Sequence, residues 1–99
     1  MSSGQPNVRT VRFKQMLARL PVEVQAAAEA AFVLFRRDPF HPALANHELV
    51  DTKKGRHRKV SRSITVTRRY RAIYVVDGST NVWYWIGSHE DYNNFVGRM

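Results

Sequence analysis

Arg62 and Arg71 interrupt segments that otherwise alternate or run apolar. One is Val60-Ser61-Arg62-Ser63-Ile64-Thr65-Val66-Thr67 and the other Tyr70-Arg71-Ala72-Ile73-Tyr74-Val75-Val76. A guanidinium is rarely buried without a partner, so each should either point into a groove or pair with a carboxylate across the sheet. His89 follows the aromatic run Asn81 to Ile86 and stands beside Glu90 and Asp91. A histidine in that setting can shuttle a proton, although a helix-capping or surface histidine would look the same in sequence. These residue types suit cleavage of a phosphodiester without a metal ion. That chemistry needs a base for the 2′-OH, a proton donor for the leaving 5′-oxygen, and cations held near the phosphorane. Arg62 and Arg71 would clamp the phosphate, His89 would move the proton, and Tyr92 would stack a splayed base.

A second cationic group precedes them. Lys53-Lys54-Gly55-Arg56-His57-Arg58-Lys59 carries six positive or potentially positive side chains around one glycine, and it is expected to face solvent or phosphate. Lys53, Lys54, Arg56, His57, Arg58 and Arg69, with Tyr92, form the expected RNA-contacting set. The whole chain agrees with a polyanionic partner: 16 Lys and Arg against 8 Asp and Glu give a formal net charge of +8. Nucleic acid, an anionic membrane surface or an acidic protein would each satisfy that charge, and solubility alone would account for part of it.

Several classes are disfavoured. There is no cysteine, which removes disulfides, thiolate catalysis and Cys-ligated zinc. The four histidines, His41, His47, His57 and His89, lack HExxH spacing, so no metal site and no cofactor are expected. No Gly-rich phosphate loop or nucleophile elbow is present. Residues 1–6 read as a flexible polar leader without an apolar signal core, and no apolar run is long enough to span a bilayer. A cytoplasmic protein with no membrane partner is the expectation.

The elements that must hold these residues can be read from periodicity. With 99 residues and 43% apolar content, the chain has room for one domain with one core, expected over residues 7–99. Val8 to Phe13 alternates as a short edge strand. Phe13, Met16, Leu17 and Leu20 fall on one face of a short helix, and Pro21 opens a second helix that runs to Arg37 before Asp38-Pro39 ends it. His47 to Val50 reads as a further short strand. Three antiparallel strands follow, over 60–67, 70–76 and 81–86, with Asp77-Gly78-Ser79-Thr80 as a turn. Trp83 and Trp85 are expected on one face of the last strand, as core. Ser88 should cap a final helix over residues 89–96. The sum is an α+β fold of order β-α-α-β-β-β-α, with the helices on one face of an antiparallel sheet.

The order of these features resembles the RelE/ParE toxin superfamily: Leu20-Pro21 between two helices, Asp38-Pro39 after them, and Tyr70-Arg71-Ala72-Ile73-Tyr74 before a Gly-containing turn. Gly87-Ser88-His89-Glu90-Asp91 is similar to the segment that closes the sheet in the YafQ-like branch, where a histidine serves in mRNA cleavage. The resemblance implies an antiparallel sheet packed by an N-terminal helical hairpin and an acidic antitoxin wrapped on the toxin. For RelE-type members it implies ribosome-dependent cleavage of mRNA. It places Arg71 at the family's strand arginine, Arg62 near a basic catalytic position, and His89 at the arginine-or-histidine position after the last strand. The chain departs from the pattern at Ile64, where RelE has a catalytic lysine, and Lys53, Lys54 or His57 would have to substitute. Two other readings stay open: a ParE-like inhibitor of DNA gyrase, for which His89 would be dispensable, and an inactive homologue that only binds its antitoxin.

Overall fold

The structure, a computed structural model, describes residues 5–58 and 60–97. Of the expected leader, residues 1–4 lie outside the described residues, and the Pro6 carbonyl already accepts a hydrogen bond from the Asn81 N–H at 2.9 Å. Strand β1 is Asn7–Arg9. It stops there because Thr10 caps helix α1, Val11–Ala18, its hydroxyl accepting from the Phe13 N–H at 3.0 Å. Helix α2, Val22–Arg37, begins just after Pro21 and buries Val24, Ala28, Ala31, Phe32 and Phe35. Arg36 and Arg37 lie at its negative C-terminal end. A short 3-10 turn, Pro42–Leu44, leads to β2, His47–Glu48. Then come β3, Ser61–Thr67, β4, Tyr70–Asp77, and β5, Thr80–Ser88. Helix α3, His89–Val96, is capped by Ser88, whose hydroxyl accepts from the Asp91 N–H at 3.1 Å.

The five strands form one sheet in the order β1-β5-β4-β3-β2. The three central strands are antiparallel, as expected, whereas β1 joins β5 in parallel, pairing Asn7, Val8 and Arg9 with Asn81, Val82 and Trp83. This is the α+β fold anticipated from the sequence, enlarged by β2. No helix among the described residues is long and apolar enough to cross a membrane.

Two expectations are corrected by one irregularity. Between Ile73↔Trp85 and Tyr74↔Trp83 the β4–β5 register shifts, so Tyr84 is an extra residue in β5. A bulge of this kind reverses the alternation beyond it. Trp83 therefore faces the α1–α2 hairpin and Trp85 the opposite face, instead of sharing one side. The sheet is consequently covered on both faces. Phe13, Phe32, Phe35, Tyr74 and Trp83 pack under the hairpin, while Leu49, Ile73, Trp85, Tyr92 and Val96 pack under α3. The first set lies on the hairpin face of the sheet and the second on its α3 face.

On the hairpin face the indole of Trp83 is the hub. The rings of Tyr74, Phe32, Phe35 and Phe13 lie 4.5, 4.8, 5.0 and 6.4 Å from it. Its Nε1–H donates to Asn7 Oδ1 at 3.0 Å, which fastens β1 at the same point. Trp83→Ala should lower unfolding stability by about 3–5 kcal/mol in urea titration, whereas Val33→Ala, at an exposed position of α2, should change it by less than about 0.5 kcal/mol.

Arg9 clips β1 to α2. Its Nη1 and Nη2 donate to the two Glu29 carboxylate oxygens at 3.0 and 2.9 Å, and its guanidinium lies 4.3 Å from the Phe32 ring. The hydrogen bond from Arg9 holds the Glu29 carboxyl below its ordinary value, with the Arg9 and Arg36 charges adding to the effect and partial burial opposing it. The stabilisation is thus present above the ordinary carboxylate range and is lost as the pH falls through the lowered value. Because Glu29 is largely exposed, the contribution is at most about 1 kcal/mol. The stability gap between the native chain and Glu29→Gln should be visible at pH 7 and should shrink as the pH is lowered through the carboxylate range.

Candidate functional site

Strand pairing decides which candidate residues meet. Arg62 pairs with Tyr74 and Arg71 with Thr65. Tyr74 belongs to the hairpin-face core and Ala72, next to Arg71, does too. With successive side chains on opposite faces, Arg62 projects to the hairpin face and Arg71 to the α3 face. The expectation that Arg62, Arg71 and His89 share a groove is therefore corrected: Arg62 lies on the other side of the sheet. There its Nε–H donates to Asn46 Oδ1 at 2.8 Å, its guanidinium lies 5.2 Å from the Phe40 ring, and Nη1 is 4.0 Å from its cross-strand neighbour Glu48. The cross-strand ion pair raised as an alternative is the arrangement Arg62 adopts.

Asn46 is the centre of that network. Its amide nitrogen donates to the Pro39 carbonyl and to the Tyr74 hydroxyl, both at 3.0 Å. Burial pushes the Tyr74 phenol above its ordinary value, while the Asn46 hydrogen bond and the nearby Arg62 pull the other way.

At the opposite end of the sheet, the β3–β4 hairpin tip meets the start of α3. Tyr70 pairs with Ser88 and Arg71 with Gly87, and the His89 N–H donates to the Arg69 carbonyl at 2.6 Å. Arg71 Nη1 donates to the carbonyls of Thr67, Arg68 and Tyr70 at 2.7, 3.2 and 3.0 Å, which fixes the guanidinium at the tip. Arg68, Arg69 and His89 are exposed around it. The His89 ring stacks on Tyr92, with centroids 6.0 Å apart and planes at 27°, and the Asn93 amide lies 3.4 Å from His89 Nδ1.

Tyr92 does not take the expected base-stacking place. It is 2% exposed, packed 6.2 Å from the Trp85 ring, and serves as the seat of His89. Its hydroxyl lies 3.4 Å from Nε2 of His47, on β2. His47 Nδ1 meets the Ala45 carbonyl at 2.8 Å, so Nδ1 is the donor and Nε2 can accept from Tyr92. His47 arrives there because β2 pairs with β3 at Ser63, a non-local contact with no local sequence signal.

The basic loop divides. Lys53, Lys54, Arg56 and Arg58 are exposed, but the His57 side chain is only 2% exposed, with Nε2 3.9 Å from the Asp51 carboxylate. His57 is thus corrected from a solvent-facing contact to a buried one, and Lys59 lies outside the described residues. The loop is anchored to the C-terminal turn of α3. Thr52 Oγ1 donates to the Val96 carbonyl and the Arg56 N–H to that of Phe95, each at 2.7 Å.

This two-faced α+β fold is shared with solved structures of bacterial proteins. YafQ from E. coli strain BL21(DE3) superposes with a TM-score of 0.60 at 13% identity, over 89% of this chain and 97% of that one. A copper-bound mutant toxin from Helicobacter pylori superposes at 0.59 with 17% identity, over 88% and 97%. A conserved hypothetical protein from the same organism, solved in solution, does so at 0.59 with 18% identity, over 87% and 96%. Residues 27–94 match the family described as ParE-like toxin domain, and the chain belongs to that family. No curated protein matches the chain by sequence. Membership of a toxin family implies an antitoxin partner.

Asn46→Ala should leave the Tyr74 hydroxyl and the Arg62 guanidinium without their shared partner. A loss of about 1–3 kcal/mol is expected in thermal or urea unfolding.

Proposed function

We propose that this protein is the toxin of a type II toxin–antitoxin pair, that it cleaves mRNA on the ribosome without a metal ion, and that an acidic antitoxin restrains it. The observation that carries the reading is the meeting of His89, seated on Tyr92, with the Arg71-pinned hairpin tip on which Arg68 and Arg69 are exposed. In the reaction the 2′-OH loses its proton to solvent water and attacks the adjacent phosphorus, and the bond to the 5′-oxygen breaks. The products are a 2′,3′-cyclic phosphate and a 5′-hydroxyl end. The Asn93 amide beside Nδ1 leaves Nε2 of His89 as the nitrogen to meet the substrate, where the ring, entering the step as imidazolium, delivers the Nε2 proton to the departing 5′-oxygen and is left neutral. Arg71 gives a positive charge that does not have to reorganise as the phosphorane forms, and Arg69 adds a second from the same turn. Arg62, on the far face, has no part in this chemistry. Lys53 and Lys54, both exposed on the basic loop, hold RNA backbone or ribosomal RNA.

The chain is produced without its antitoxin and message ends are mapped by primer extension. New 5′ ends should appear within coding regions, and His89→Ala should reduce them by about 100-fold or more while the circular dichroism spectrum stays native. Growth arrest with intact messages and gyrase-linked DNA breaks would replace this reading with gyrase inhibition.

A further inference from the structure

A groove outside the His89 cluster runs along the C-terminal half of β5. β1 pairs with β5 only as far as Trp83, where the Thr10 N–H donates to the Trp83 carbonyl and the chain turns into α1. From Tyr84 onward no strand flanks the outer edge of β5 among the described residues. Met16 of α1 reaches round that edge to touch both cores. The space left between α1, the basic loop and α3 has a volume of about 620 Å³.

Arginines from two elements converge on it: Arg12 from α1 and Arg56 and Arg58 from the loop. None of the three forms an ion pair among the described residues. The loop arginines are held against aromatic faces. Arg56 lies 5.8 Å from the Phe95 ring and Arg58 5.6 Å from that of Tyr84. The Arg58 N–H also donates to the Tyr84 hydroxyl at 2.8 Å, and that hydroxyl meets Ser61 Oγ at 2.6 Å. The floor is continuous with the candidate site, since Gly87 lines the groove and is the register partner of Arg71. Gly87 is required there: a Cβ would sit 2.8 Å from Cη2 of Trp85, whose ring lies across it. Asp91, on the rim, belongs to the same helical turn as His89.

We infer that this groove binds single-stranded RNA, with phosphates on Arg12, Arg56 and Arg58 and a base against the Tyr84–Phe95 wall, as the track that leads the message to His89. The inference rests on the nuclease reading for its direction. Cations interleaved with aromatic rings are what a single strand uses, and a volume typical of a small-ligand pocket admits a splayed nucleotide but no duplex. Asp91 separates RNA from the other polyanion a basic groove attracts. Its carboxylate accepts from a ribose hydroxyl or a base amino group, whereas an acidic peptide brings only further carboxylates to it.

The test uses the full chain carrying His89→Ala, a fluorescein-labelled single-stranded RNA oligonucleotide, and fluorescence anisotropy across a salt series. Adding Arg12→Gln, Arg56→Gln or Arg58→Gln should each weaken binding several-fold and reduce the slope of log K against log salt by about 0.7. Arg12, exposed on the helix surface, decides the matter should the loop variants disturb folding. Unchanged affinity and slope for Arg12→Gln overturn the proposal, as does binding of a poly-glutamate peptide in place of RNA. RNA binding that depends on the arginines, alongside intact messages in the primer-extension assay, would remove the nuclease reading and leave the groove standing. Cleaved messages with arginine-independent binding would do the reverse.

Discussion

The extra residue at Tyr84 is the constraint on which the two-sided architecture depends. A regular β5 would send Trp83 and Trp85 to the same face, leaving one face crowded with indoles and the other without a large anchor. The bulge gives each face one tryptophan. Trp83 can then be ringed by Phe13, Phe32, Phe35 and Tyr74, while Trp85 stacks on Phe95, 5.1 Å away at 19°. The α3 anchorage follows from this. Without an indole on that face, an eight-residue helix would have little apolar surface to bury, and too few turns to persist alone. The placement of His89 and of the loop fastened to the end of α3 follows in turn. Bulges near working sites commonly re-aim a side chain in this way.

The sequence carried the periodic part of this design and not the part that depends on register. Helix spacing, the Pro21 boundary, the hairpin turns and the Ser88 cap are local signals, and they place α1, α2, β3 to β5 and α3 within one or two residues. A bulge is not local in that sense, because Tyr84-Trp85 alternates as well with an extra residue as without one. The same limit separated Arg62 from Arg71. Each could be assigned to a face within its own strand, but nothing in either strand says how the two are staggered. His57 misleads for a different reason. Its neighbours are all cationic, yet Gly55 lets the loop close on Thr52 and Val96, and the imidazole turns inward.

The arginines divide by face, and the division bears on what kind of partner the fold can take. Arg9 and Arg62, whose guanidinium groups meet the carboxylates of Glu29 and Glu48, both serve the hairpin side, where they also lie on Phe32 and Phe40. These charges are used up within the fold. Around α3 the pattern is different: Arg71 is held by backbone carbonyls, which fix its position without neutralising it, and Arg56 and Arg58 are held by aromatic rings. Each is kept in place by a contact that leaves its charge intact. A surplus of cations distributed only for solubility would have no reason to be so fixed, since mobile lysines serve that end at lower entropic cost. Guanidinium groups held near fixed positions with their charge intact suit a polyanionic partner, because part of the ordering cost is then met in folding and not on binding.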